Sequence, residues 1–479
     1  MTFTMSILAA LCVFLFLSSV TFSYIYNEQT DPYMDEIFHV PQAKTYCAGN
    51  FSYWDPMITT LPGLYLVSVG ILVPLGKIFG ENIDDLCSVV YLRAINTLFA
   101  VGNFYVIYAI MCKLHEKETV NKYWSFTNSL FIISILLPLL FFFNFLYYTD
   151  VGSTFCVLFM YLLHLHDNKF LASAVGAIAV LFRQTNIIWV IFMAGLTARS
   201  ELTEWIKIEQ NKIYGRKSIK EEMVNEENLT LRKIFTLLRN SVMNKNLQTF
   251  YLTIYIIKAC QFYIIIILTF LGFVYFNGGI VVGDRSHHTA CLNFPQLFYF
   301  ISFTSVFAFP FIFLPQQIIL FLKYITSNYI KLFILMTVSF LLIHYFTYVH
   351  LYLISDNRHY TFYIWGRLYN RHQLVKFLLV PFYLYSYWSF SALLGQRDTV
   401  WQIVFGICLL AATVPQKLLE FRYFIIPYLI FRLNIKQGSW LQLCAEILFY
   451  LLVNFVTVYL FINKPFKWDN SSDVQRFMW

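Results

Sequence analysis

Two adjacent carboxylates open the first polar stretch of the chain. Asp35 and Glu36 lie in "DPYMDEIFHVPQAKTYCAGNFSYWDPMITTLPGLYL" (residues 31–66), after an N-terminus with no charged side chain before Glu28. Neighbours on a helix point about 100° apart, so one of the two can face a site while the other turns away. A carboxylate facing an attacking hydroxyl serves as a general base. The plainer role for such a pair is to solvate or cap an interfacial helix. Further along the same stretch, Trp54 offers a face for a sugar ring and Asp55 an acceptor for its hydroxyls. Asp55-Pro56 is also a turn signal.

The basic counterparts stand in other polar loops: Arg183 in "LFRQTNIIWV", Arg285, His287 and His288 in "GDRSHHTACLNFPQ", Arg358 and His359 in "DNRHYTF", and Arg422 in "LLEFRYF". Guanidinium groups grip phosphate oxygens in two-pronged fashion, and histidines donate to the same oxygens. Any one of these arginines alone would snorkel or pair with a carboxylate. Gathered on one side of a membrane with carboxylates, they point to an anionic, hydroxyl-rich, membrane-bound substrate pair. Asp150, in "FFNFLYYTDVGS", joins Trp54 and Asp55 as a candidate acceptor contact. No His-x-x-x-His pair with a nearby carboxylate supports a zinc site. Walker loop, dinucleotide fingerprint, serine elbow and Cys-x-x-Cys are all missing from the sequence, and no segment has room for a nucleotide-sugar domain.

The elements that must position these residues are membrane helices. Hydrophobic residues make up 59% of the 479 and charged residues 13%, with a mean hydropathy of +0.61. Soluble domains average about 25% charged, so water is not the solvent for most of this chain. Apolar runs of roughly 20 residues, the length of a helical span, recur from end to end. A transmembrane barrel would instead show alternating segments of about ten residues. The net charge of +8 is scattered, which fits cytoplasmic loops obeying the positive-inside bias better than a nucleic-acid surface. Of nine cysteines, Cys12, Cys112, Cys156, Cys260, Cys408 and Cys444 fall in apolar spans, while Cys47 and Cys291 fall in polar loops and could pair in an oxidising lumen.

Charge placement gives a topology for one transmembrane domain over residues 1–479. The run Met1 to Tyr26 is a retained first span, too long and too poor in Lys/Arg for a cleaved signal. "KLHEKETVNK" (113–122) and the charged loop 199–249 lie on the cytoplasmic side. A first luminal loop, 27–88, carries an interfacial helix over 35–48 and a helix over 62–80 that dips back from the luminal side. The next crossing runs from Val89 to Cys112. A helix from Tyr123 emerges at Asp150, one from Phe170 at Arg183, one from Phe250 at Arg285 and one from Lys331 at Arg358. "YIWGRLYNRHQLVK" lies at the interface, leaving "PQKLLEFRYFIIPY" and the tail luminal. The total is about 12–14 helices. Sequons stand at Asn50, Asn228 and Asn470, with Asn228 on the cytoplasmic side.

The strings "YMDEIFHVPQAKTYC", "WDPMITTLPGLYL", "LFRQTNIIW", "GDRSHHTACLNFPQLFYF", "DNRHYTFYIW" and "QKLLEFRYFIIPYLIFRLN" resemble the dolichyl-phosphate-glucose alpha-1,2-glucosyltransferase family of the endoplasmic reticulum. The resemblance runs from the first luminal loop to the closing "RFMW". It implies an all-α GT-C architecture, multi-pass in that membrane, with a catalytic acid in the first luminal loop. It further implies dolichyl-phosphate glucose as donor, a diglucosylated dolichyl-diphosphate oligosaccharide as acceptor, and no metal or other cofactor. The acid motif of that superfamily maps onto Asp35-Glu36, and the "E-x-R-[FY]" of its mannosyltransferase relatives looks like Glu420 to Tyr423, which adds Glu420 to the candidate acceptor contacts. A beta-linked donor and alpha-linked product imply inversion, with Asp35 as base and Glu36 as alternative base or partner.

Three rivals stand beside that reading. A lipid or sugar transporter would want ionisable groups in broken helices at mid-membrane, whereas here they gather in loops at one interface. A GT-C mannosyltransferase would share fold and base. A non-enzymatic partner of another membrane protein has no residues arguing for it.

Overall fold

A computed structural model describes residues 2–80, 82–115, 136–214, 247–285, 290–469 and 472–479. Fifteen helices of ten residues or more form among them: α1 (Thr2–Glu28), α2 (Glu36–Cys47), α3 (Gly63–Phe79), α4 (Val89–Leu114), α5 (Thr149–Leu165), α6 (Lys169–Phe182), α7 (Ile187–Tyr214), α8 (Leu247–Asn277), α9 (Pro295–Phe307), α10 (Pro315–Ser327), α11 (Tyr329–Phe346), α12 (Val380–Leu393), α13 (Thr399–Thr413), α14 (Ile425–Asn434) and α15 (Trp440–Asn463). The one sheet among the described residues has two short strands, β1 (Phe466–Lys467) and β2 (Val474–Gln475), paired antiparallel. The protein is an all-α polytopic membrane protein. Six of its described helical stretches are long and apolar enough to cross a membrane: 7–28, 89–114, 250–277, 329–346, 375–396 and 440–463.

The expected helices over 35–48, 62–80 and 89–112 form as α2, α3 and α4. The count exceeds 12–14 because the chain from 295 to 346 breaks into pieces at Pro310, Pro315 and Asn328. Proline removes a helical donor and clashes with the preceding turn, so the breaks fall where the sequence puts them. The charged connection expected from Arg199 is helical as far as Tyr214. Its remainder to 246, most of the 113–122 connection, the start of the helix from Tyr123, Asn228 and Asn470 lie outside the described residues.

One aromatic and aliphatic core joins nearly all of these helices. Successive helices pack together, α4 against α5, α5 against α6 and α7 against α8, and the distant α13 also packs on α7. Two ion pairs lie inside this apolar mass. Arg93 of α4 meets Glu36 of α2, both fully buried, and Arg432 of α14 meets Glu446 of α15 at 2.7 and 2.9 Å. Local caps match local sequence. Asp398 accepts the N–H groups of Val400 and Trp401 to start α13, and Ser439 with Gln442 forms a capping box on α15.

The pairing of Cys47 with Cys291, left open by the sequence, is not the one formed. Cys47, at the end of α2, is bonded to Cys87 two residues before α4, with Cα atoms 6.6 Å apart, inside the range a disulfide spans. Cys291 is a free thiol on a different loop, where its N–H meets the Pro415 carbonyl. The bond closes the first loop on itself instead of tying it to the loop after α8.

Candidate active site

The two adjacent acids part company at the start of α2. Asp35 is the residue before the helix, and its side chain is 39% exposed. Glu36 points the opposite way and is sealed. Its carboxylate accepts from Arg93 Nε (2.8 Å) and Nη2 (2.6 Å), and from the backbone N–H groups of Tyr33 (3.0 Å) and Tyr147 (2.6 Å). All its lone pairs are committed to holding the first loop against α4 and the start of α5. Met34, just before, has φ +55°, a left-handed conformation that an L side chain adopts at a cost of about 1–2 kcal/mol. That turn swings Asp35 outward.

Arg422, in the helical turn leading into α14, reaches Asp35 from the far end of the sequence. Its Nη1 donates to Asp35 Oδ2 at 2.8 Å, and its Nε donates to Glu420. The same Nη1 stands 3.9 Å from Asp150 Oδ2. Asp150, in the first turn of α5, is ion-paired through Oδ1 with Arg183 of the α6–α7 connection, while its buried Oδ2 accepts no hydrogen bond. Arg183 lies over the ring of Tyr423, 5.2 Å from its centroid, and Arg422 lies 5.6 Å from that of Tyr148. A small cleft is lined by Asp150, Ser153, Arg183, Asn186, Arg422 and Tyr423, among others.

Electrostatics follow from this packing. Burial pushes the Asp35 carboxyl up, but Arg422 beside it, with His39 and His359, more than offsets that and leaves it below the ordinary carboxylate value. Glu420 goes the same way for the same reason: burial raises it and Arg422 lowers it further. His39, one helical turn after Asp35, is pushed down to about 4 by burial, Asp35 opposing and Arg422 and Arg183 reinforcing. It is therefore neutral at pH 7, and its Nδ1 lies 2.5 Å from the Tyr65 hydroxyl. Tyr148 completes the support, its hydroxyl accepting the Asp35 N–H at 3.2 Å.

Of the sequence candidates, the fold joins Asp35, Asp150, Arg183, Glu420 and Arg422 in one ion-pair network, of which Asp150, Arg183 and Arg422 line the cleft. It seats Trp54 and Asp55 nearby. Trp54 packs edge-on against Tyr65 and donates to the Ile58 carbonyl, and Asp55 accepts the Met57 N–H, the turn its Pro56 signalled. The 281–284 loop docks on this segment, Asp284 N–H donating to the Pro56 carbonyl at 2.7 Å. Gly283, at φ +70°, lies so close that a Cβ would fall 2.4 Å from the same oxygen. Arg285 donates to the carbonyls of Asn277, Gly278 and Val281 and so closes the end of α8. Arg358 is held two-pronged by Asp356, at 2.8 Å twice, and lies over Trp468. His359 stands 3.9 Å from Asp356. His287 and His288 lie outside the described residues.

Sequence reading missed His39, Tyr148 and Arg93. The i, i+4 spacing from Asp35 would have found His39. An arginine inside an apolar span is a flag of its own, which would have found Arg93. Tyr148 carries no such signal.

A family model described as the DIE2/ALG10 family matches residues 29–433. A mouse protein named Dol-P-Glc:Glc(2)Man(9)GlcNAc(2)-PP-Dol alpha-1,2-glucosyltransferase is 46% identical over 472 residues, covering 98% of this chain and 97% of its own length. A human protein of the same name is 46% identical over 471 residues, at 98% and 97% coverage. An Arabidopsis thaliana protein of that name is 34% identical over 496 residues, at 94% and 95%. No solved structure matches the chain.

Proposed function

The chain belongs to the DIE2/ALG10 family, and from that premise we propose that it transfers glucose from dolichyl-phosphate glucose to the terminal glucose of Glc2Man9GlcNAc2-PP-dolichol in alpha-1,2 linkage. This is the last step of lipid-linked oligosaccharide assembly for protein N-glycosylation. The site faces the lumen of the endoplasmic reticulum, and the architecture is that of the GT-C glycosyltransferases.

One observation supports this chemistry most directly: a half-open carboxylate, Asp35, sits on the same guanidinium, Arg422, that lines a cleft with Arg183. An inverting transfer needs a base on the attacking hydroxyl and cations on the departing phosphate, and this cluster supplies both. Asp35, ionised at neutral pH, takes the proton of the acceptor 2-hydroxyl as that oxygen attacks the anomeric carbon. The bond from that carbon to the phosphate oxygen breaks with its electron pair on the phosphate. Arg183 and Arg422 stabilise the charge that grows there, in a part-buried setting where such contacts are strongest. Asp150 keeps the two guanidinium groups apart and offers its free Oδ2 to a sugar hydroxyl.

The donor phosphate also tunes the base. When it draws on Arg422, Asp35 loses part of the partner that held its pKa down and becomes a stronger proton acceptor. Glu36 is a positioning residue, with every oxygen lone pair turned to Arg93 and backbone. Arg285 and Arg358 hold loops through their own partners. With two guanidinium groups in the place of a Lewis acid, transfer is independent of metal, so chelation with EDTA leaves the rate unchanged.

Purified protein supplied with acceptor and labelled dolichyl-phosphate glucose or mannose tests the reading. Alpha-1,2-linked glucose from the first donor alone is the expected product. Mannose transfer, or movement of lipid without a new glycosidic bond, overturns it. Cysteine labelling from either side of sealed microsomes, with a cysteine introduced at Ser52, tests the luminal placement.

A further inference from the structure

Residues 474–479 run back into the protein beside the site. Met478 forms a parallel bridge with His359, its N–H donating to the Arg358 carbonyl at 2.9 Å and its carbonyl accepting the Tyr360 N–H at 3.1 Å. The backbone oxygen of Trp479 lies 2.9 Å from His359 Nδ1. An oxygen of that kind only accepts, so Nδ1 is the donor. The Trp479 ring packs on Tyr360 and Phe421, at 4.9 and 6.2 Å between centroids, and Phe421 lies between Glu420 and Arg422.

The other end of the segment holds the first loop. The Tyr33 hydroxyl donates to the Arg476 carbonyl at 2.7 Å and accepts the Arg476 N–H at 2.8 Å. The Arg476 side chain, 7% exposed, donates to the carbonyl of Glu28, the side chain of Gln29 and the carbonyl of Phe461. Tyr33 stands two residues before Asp35, across the left-handed Met34. The segment therefore touches three separate pieces of the site: the turn that aims the base, the loop bearing His359, and the turn bearing Glu420 and Arg422.

We propose that residues 474–479 are a positioning strap of the active site, setting the place of Asp35 relative to His359 and Arg422 through the Tyr33–Arg476 clasp and the Met478–His359 bridge. The inference rests on the transfer reaction proposed above. A misplacement on the order of 1 Å costs about 10²-fold in rate, and the strap acts on that scale. Removing one hydroxyl, in Tyr33→Phe, opens the clasp and leaves the rest of the fold in place. Truncation after Asp473 removes the strap entirely.

The expected result is a fall in kcat of roughly 10- to 100-fold in both variants, with KM for donor and acceptor within about twofold and the thermal midpoint of Tyr33→Phe close to the parent's. A folded Tyr33→Phe protein with parental kcat overturns the proposal, as does a loss that appears only in the KM of one substrate. If the truncated chain does not fold, Tyr33→Phe decides. A parent protein that transfers no glucose would count against the reaction and not against the strap, so the two failures are told apart.

Discussion

Asp35→Asn and Glu36→Gln should fail in opposite ways, although the residues are neighbours of nearly the same chemistry. Asp35 is 39% exposed and makes one side-chain ion pair, so screening limits what it adds to stability to about 1 kcal/mol or less. Its loss removes the general base, worth typically about 10²–10⁴-fold, or roughly 3–5 kcal/mol of barrier at about 1.4 kcal/mol per tenfold. Glu36 and Arg93 are both fully buried. Breaking such a pair costs about 3–5 kcal/mol because a charge is left unpaired in the interior, and the amide of glutamine also turns a donor toward Arg93 or an N–H. Transfer by purified protein, followed by linkage mapping, reads the first effect, and thermal unfolding in detergent reads the second. Asp35→Asn should melt like the parent and transfer at most a hundredth as fast, while Glu36→Gln should melt several degrees lower. An Asp35→Asn protein retaining near-full transfer, or a Glu36→Gln protein that is fully stable but inactive, would refute the assignment of base and anchor.

Arg422→Gln removes the largest influence holding the Asp35 carboxyl down, so burial, which raises it, prevails. The acid limb of kcat/KM should then move to higher pH, measured on the residual activity. In the parent, the same depression adds stability present above the unfolded carboxylate pKa and lost as pH falls through the folded one, so the parent's pH-stability curve should fall at lower pH than the variant's. Asp150→Asn should raise the donor KM, because Arg183 loses its partner and the cleft loses its free carboxylate oxygen. Cys87→Ser opens the loop of 40 residues closed on Cys47 and should cost about 4 kcal/mol on the chain-entropy estimate. Alkylation followed by mass spectrometry should find Cys291 free and Cys47 paired with Cys87.

Composition alone was enough to place this chain in a membrane, because a hydrocarbon solvent admits few charged side chains and demands long apolar runs. Local pattern was enough for α2, α3 and α4, whose starts and stops follow prolines, glycines and polarity within a few residues. It was also enough to single out Asp35, Asp150, Arg183 and Arg422, since ionisable groups beside apolar spans are costly and few, while Glu420 came from the family resemblance. What pairs with what was decided by tertiary structure. Asp35 and Glu36 are indistinguishable by type, and the difference comes from Arg93 on a helix 57 residues away and Arg422 387 residues away. Cys47 chose Cys87 over Cys291 for the same reason. A bond depends on distance in space, and once helices pack side by side, distance in space is set by the whole arrangement of the chain.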